Sequence, residues 1–118
     1  MACVDVIVSD FDHTLFKNNF GLIHEVVNYL EQRGLPVWIV TYRNENQEKF
    51  IKQVLNETSI DLIGIGFADS RKKDPATKLA IIDSLSSRYN IVEALDDDEQ
   101  VVVRLRQRGI NAKRVVAQ

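Results

Sequence analysis

The sequence predicts an α/β fold, a three-layer domain built on a mainly parallel sheet. Short runs of β-branched and aliphatic residues alternate with segments of ten or more residues whose apolar positions recur at helical spacing. Glycine, proline and capping residues punctuate those segments. Acidic and hydroxyl residues also cluster directly after the apolar runs, the edge where open α/β sheets bind ligands.

The first strand is read over Cys3 to Ser9, an apolar run ending at Asp10-Phe11-Asp12-His13-Thr14. A turn-rich stretch follows, Lys17-Asn18-Asn19-Phe20-Gly21. Then Leu22, Ile23, Val26, Val27 and Leu30 keep helical spacing, with Gly34 as a C-cap. Val37 to Val40, entered from Pro36, is the second strand. Asn44 to Gln47 fits a capping box and opens a helix with Phe50, Ile51, Val54 and Leu55 inward. Ile60 to Phe67 is the third strand. Asp74-Pro75 reads as an N-cap with proline at the first helical position, ahead of buried Leu79, Ile81, Ile82 and Leu85. Ile91 to Leu95 is the fourth strand, Gln100 to Gln107 the next helix, closed by Gly109, and Ala112 to Ala117 the fifth strand.

The 118 residues suit a single domain with a real core. A net charge of -2 argues against a general nucleic-acid-binding surface. No apolar stretch reaches membrane-spanning length, and the start lacks a signal-peptide pattern. The single cysteine, Cys3, excludes an internal disulfide and suits a reducing, cytoplasmic compartment. With only His13 and His24 beside it, zinc ligation of the usual spacing is not expected.

The chemistry-bearing residues gather after strand ends. Asp10, Asp12 and Thr14 follow the first strand, Thr41 and Arg43 the second, and Asp96, Asp97 and Asp98 the fourth. Paired carboxylates repel one another and lose hydration, which magnesium between them relieves. The alternative for Asp10 to Thr14 is a loop that caps a helix. Likewise Thr41 can simply finish a β-branched strand, and Asp97 with Gln100 makes a capping box. Lys72 and Lys73 read as solvated loop charges. Lys78 lies inside the first turn of a helix, where a cation opposes the macrodipole, and is either functional or a snorkelling surface lysine. If it is functional, Lys78→Met should remove activity with little loss of stability. Arg43 is placed to fork onto a phosphate, with Tyr42 as a stacking surface beside it.

The order D-x-D-x-T, a threonine after the second strand, a lysine, then Asp-Asp after a later strand resembles the four motifs of the haloacid dehalogenase superfamily, from Asp10 to Asp97. Within it, Val40 to Arg43, Lys73 to Lys78, and Ala94 to Val102 running on to Arg108-Gly109-Ile110 resemble the 3′-phosphatase domain of phage-type polynucleotide kinase-phosphatases. The resemblance implies one haloacid dehalogenase-like phosphatase domain over residues 1–118, in a bacterial or phage-infected cell. Its fold would be Rossmann-like, a five-stranded parallel sheet ordered 3-2-1-4-5. Asp10 would be the nucleophile and form an aspartyl-phosphate. Asp12 would be the general acid and base, with Thr41 and Lys78 engaging the phosphoryl group. Thr14, Arg43 and Lys73 would bind substrate. Asp10, Asp12 through its backbone carbonyl, and Asp96 or Asp97 would hold Mg2+. His13 stands where the family usually has glycine, so that turn must hold a residue tolerant of unusual backbone angles. Tyr42 replaces the small residue often found after the threonine. The stretches Leu15 to Gly21 and Phe67 to Lys73 are too short for a cap domain, which leaves an open site.

The expected activity is magnesium-dependent hydrolysis of a phosphomonoester, on a nucleic-acid 3′ end or alternatively on a nucleotide or sugar phosphate. The rival class is a response-regulator receiver, whose phosphorylated aspartate follows its third strand. Here the third strand is followed by no acid until Asp69. A catalytically idle relative kept for protein binding is a further alternative. The oligomeric state is not legible.

Overall fold

In a computed structural model, which describes residues 3–116, the elements alternate as expected. They run β1 (Asp5–Ser9), a hairpin of β2 (Phe16–Lys17) and β3 (Gly21–Leu22), α1 (His24–Arg33), β4 (Val37–Thr41), a 3-10 turn (Glu45–Gln47) leading into α2 (Glu48–Leu55), β5 (Leu62–Phe67), α3 (Pro75–Ser86), β6 (Asn90–Asp96), α4 (Glu99–Gln107) and β7 (Ala112–Arg114). The main sheet has five strands in the order β5-β4-β1-β6-β7, parallel throughout. In terms of the five sheet strands this is 3-2-1-4-5, and no cap domain is present among the described residues. The switch point lies between β1 and β4 on one side and β6 on the other, which brings Asp10 beside Asp96.

Side-chain alternation divides each strand between two cores. Ile7, Ile39 and Leu95 pack with Val27 and Leu30 of α1 and with Ile51 and Leu55 of α2. Their neighbours Val8, Val40 and Ala94 pack on the other face, with Leu79, Ile82 and Leu85 of α3 and Val101, Val102 and Leu105 of α4. Both faces of a parallel sheet are therefore buried, which is why its strands read as continuous apolar runs. Glycines at 64 and 66 make room on β5, since a Cβ at 64 would overlap the Trp38 ring and one at 66 would lie 2.7 Å from Ile81.

The caps follow the sequence closely. Asp74 accepts the Ala76 N–H at the start of α3, with Pro75 at the first helical position. Asn44 caps the 3-10 turn through Asn46. Gly34 closes α1 in the left-handed region, φ 64°. Asp98, and not Asp97, caps α4 by accepting the Gln100 N–H, which leaves Asp97 free for other work.

Several boundaries shift for reasons of pairing. β1 begins at Asp5, the first residue with a ladder partner, Asn90. β5 begins at Leu62 and not at Ile60, because pairing with β4 starts at Val37↔Leu62. β7 stops at Arg114, opposite Asp96, because β6 ends there in the acidic loop. Val115 still donates one N–H to Asp96, while Ala117 lies outside the described residues. The turn-rich stretch contains the β2–β3 hairpin, and α1 accordingly starts at His24, not at Leu22. Two-residue strands are too short to show a period.

Candidate active site

Asp10 directly follows β1, and its backbone N–H continues the ladder to the Leu95 carbonyl at 2.9 Å. The carboxylate is 5% exposed. Its Oδ1 accepts the Phe11 N–H at 2.8 Å and meets Lys78 Nζ at 2.9 Å. Thr14 Oγ1 stands 3.4 Å from Asp10 Oδ2, and Thr14 is fully buried. Thr14 thus supports the carboxylate and, like Thr41 and Lys78, is buried and does not itself line the cavity described below.

Lys78 is 1% exposed, so the snorkelling alternative is excluded. Its ammonium bridges Asp10 and Asp96, each at 2.9 Å, and sits 4.4 Å from the centroid of the Tyr42 ring. Burial works against this charge, but Asp10 and Asp96 outweigh it and hold Lys78 above its ordinary pKa. Burial pushes the Asp10 carboxyl well above the usual carboxylate range, opposed by Lys78 and reinforced by the Asp96 charge. Asp96 is also raised by burial, against Lys78 and the hydrogen bond from the Asp98 N–H. One buried cation thus faces more than one buried acid.

Asp10, Asp96 and Asp97 each present an oxygen within 4.8 Å of the others. Hard carboxylate oxygens in a small group suit magnesium, and a divalent cation would offset the burial that raises Asp10 and Asp96. The residues fit the ion. Asp96, at the end of β6, and Asp97, just after it, both join the group, so the geometry offers both of the aspartates that the sequence left as alternatives. The Asp12 carboxylate points elsewhere.

Arg43 grips Asp12 with both prongs of its guanidinium, Nε to Oδ2 at 2.8 Å and Nη2 to Oδ1 at 2.7 Å. The Arg43 guanidinium carbon lies 5.3 Å from the centroid of each of the Phe11 and Phe50 rings, which meet each other edge-on, and Nη1 reaches Gln47 at 3.1 Å. The fork read from sequence as meeting a phosphate meets a carboxylate instead. A bidentate pair needs guanidinium geometry, so Arg43→Lys is expected to lower kcat about tenfold or more while leaving the fold intact, checked by steady-state kinetics beside a melting curve.

Thr41 is fully buried at the end of β4, and its hydroxyl oxygen accepts the Arg43 N–H at 3.1 Å. The hydroxyl proton is left for another acceptor. Asp10, Asp12, His13, Tyr42, Lys73, Asp97 and Asp98 line a cavity of about 180 Å³. Lys73 is exposed at its rim in a left-handed conformation, φ 53°, and His13 adopts φ 60°, as a residue standing in for glycine requires. Burial pushes the Tyr42 phenol up to about 12, against the pull of Lys78, and its hydroxyl is buried without a hydrogen-bond partner.

The structure therefore brings Asp10, Thr14, Lys78, Asp96 and Asp97 together, and joins Asp12 to Arg43 beside them. The group of acids includes none from the end of β5, where a receiver would carry its phosphorylated aspartate. Sequence reading missed the edge-on pair of Phe11 and Phe50 beside Arg43, which lie far apart in sequence and which no local pattern links.

No family model matches this chain, and neither does any curated protein. It is similar in structure to a chain in a solved Pnkp1/Rnl/Hen1 complex, with a TM-score of 0.75 and 20% identity over 96% of this chain and 45% of the other. A second match, from the Pnkp1/Rnl/Hen1 RNA repair complex, has a TM-score of 0.76 and 20% identity over 96% and 42%. The chain thus spans less than half the length of these neighbours. At this identity the likeness is one of fold. No helix among the described residues is long and apolar enough to cross a membrane.

Proposed function

We propose that the protein is a magnesium-dependent phosphomonoester hydrolase of the haloacid dehalogenase type, acting through Asp10 on the terminal 3′-phosphate of a nucleic acid. The observation that carries the reading is the Asp10 carboxylate itself. It is held at the switch point by Lys78, borders a small polar cavity, and shares a three-acid group fit for a divalent cation. Phosphoryl transfer depends on positioning and countercharge, and both are supplied there. The nucleic-acid part draws on the likeness to chains from an RNA repair complex and on the open, uncapped site.

In this reading an Asp10 oxygen attacks phosphorus as the bond to the leaving oxygen breaks, giving an aspartyl-phosphate. Asp12 gives a proton to the leaving oxygen and later takes one from the water that frees inorganic phosphate. The Arg43 fork engages both Asp12 oxygens, so either proton transfer requires it to loosen to a single hydrogen bond. Lys78 and the Thr41 hydroxyl face the charge that develops on the phosphoryl oxygens. Asp10, Asp96 and Asp97, with the Asp12 carbonyl, would hold magnesium, which would supply countercharge to the phosphoryl group.

The test is a phosphatase panel with and without magnesium. Hydrolysis is expected with Mg2+, lost in EDTA and restored by readded metal. Catalytic efficiency should be highest on an oligonucleotide ending in 3′-phosphate, compared with its 5′-phosphorylated counterpart and sugar phosphates. Equal or better efficiency on a sugar phosphate would move the assignment to a small-molecule phosphatase, and no hydrolysis of any ester would remove it.

A further inference from the structure

We propose that the β2–β3 hairpin is a nucleobase platform, on which Phe20 stacks a base of a single-stranded substrate near its terminal phosphate. This rests on the phosphatase reading only for the position of that phosphate. Phe20 is 79% exposed, although it is a large apolar ring on an ordered turn. Its neighbours Lys17, Asn18, Asn19 and Gly21 are polar or small. A protein interface would offer a cluster of apolar side chains, whereas a lone ring is the size of a base.

The hairpin is built to hold that ring out. Phe16 pairs with Leu22, and both pack against the α1–α2 core. Phe16 stacks on Phe11 at 5.2 Å between centroids and meets Phe50 edge-on at 5.4 Å. Lys17 pairs with Gly21 on the opposite face, where the missing side chain leaves room. Asn19 and Gly21 take left-handed angles, φ 73° and 84°, and the Phe20 N–H closes the turn onto the Lys17 carbonyl at 3.0 Å. Lys17 Nζ lies 5.2 Å from the Phe20 centroid, covering one face of the ring and leaving the other to solvent.

The same hairpin is fastened to the candidate catalytic loop. Asp12 forms a bridge with Phe16, His13 donates its N–H to the Phe16 carbonyl at 2.8 Å, and Ile23 donates to Leu15 at 2.7 Å. Phe20 sits in the turn that joins Lys17 to Gly21 at the tip of this hairpin. In the proposal a strand whose end reaches Asp10 runs along the hairpin to this ring, and Lys17 supplies a cation for its backbone. Stacking is indifferent to sequence, because every base has a π-face, so the platform would select single-stranded ends without reading them.

The test compares wild type, Phe20→Ala and Phe20→Trp in binding a 5′-labelled oligonucleotide that ends in 3′-hydroxyl, by fluorescence anisotropy. The same oligonucleotide with abasic sites at its last two positions serves as control. Phe20→Ala is expected to weaken binding about tenfold, Phe20→Trp to restore it, and the abasic oligonucleotide to abolish the difference. Hydrolysis of glycerol phosphate should be unchanged in both variants, as should their melting temperatures. Unaltered binding in Phe20→Ala, a parallel loss on glycerol phosphate, or no binding by the wild type would each overturn the platform. Binding that depends on Phe20 in a protein that hydrolyses no phosphate would uphold the platform and remove the phosphatase reading instead.

Discussion

Asp10→Asn is expected to lower kcat for phosphomonoester hydrolysis by on the order of 10⁴, with the melting temperature nearly unchanged. The amide keeps the shape of the carboxylate and its hydrogen bond from the Phe11 N–H, but it cannot attack phosphorus to form an acyl phosphate. Stability is spared because the native carboxylate is held against its own burial, which pushes it toward the neutral form. Lys78 retains Asp96 at 2.9 Å in the variant. Active-site trapping supplies the second measurement: acid-quenched wild type incubated with ³²P-labelled substrate should carry label, and the variant none. Turnover in Asp10→Asn above about one part in a hundred of wild type would sink the covalent mechanism.

Lys78→Met is expected to lower kcat by a similar order and, unlike Asp10→Asn, to destabilise the fold by about 3 kcal/mol or more. The structure corrects the sequence expectation of a mild stability effect, because Lys78 is 1% exposed between two buried carboxylates and not at a helix surface. Removing the ammonium leaves those acids facing one another without a countercharge. The double variant Lys78→Met/Asp96→Asn should recover much of the stability and none of the activity, and a urea titration of the three variants reads this coupling directly. Lys73→Met, at the exposed rim of the cavity, should change neither stability nor kcat by as much. If Lys73→Met proves the more damaging change, the phosphoryl-neutralising role passes to Lys73.

The sheet was legible because its central strands are buried on both faces and so appear as unbroken apolar runs, as in Val37 to Val40. The caps were legible because an N-cap is a contact between neighbours in sequence, as Asp74 and Ala76 show. What was hidden depends on pairing across the fold. Nothing near Val115 says that its partner strand ends at Asp96, and nothing near Arg43 says that Asp12, 31 residues earlier, already fills its fork. The carboxylates and Lys78 could be named from their places after strand ends and inside a helix start. Their division of labour could not, since it is set by which oxygen each donor reaches. That one of the three aspartates caps α4 was legible, but which one was not: Asp97 was the alternative offered and Asp98 does it, since adjacent aspartates are equivalent on paper.

Among the described residues, four that are not glycine hold left-handed backbone angles: His13, Asn19, Asp69 and Lys73. His13 lies in the loop after β1, Asn19 in the β2–β3 turn, and Asp69 and Lys73 in the loop after β5; His13 and Lys73 line the cavity. Each such residue stores on the order of 1 kcal/mol that a glycine in its place would release. Evolution toward heat resistance would therefore meet an easy route at the very rim of the cavity, by trading His13 or Lys73 for glycine. A lineage taking that route would gain melting temperature while stripping side chains from the mouth of its own site.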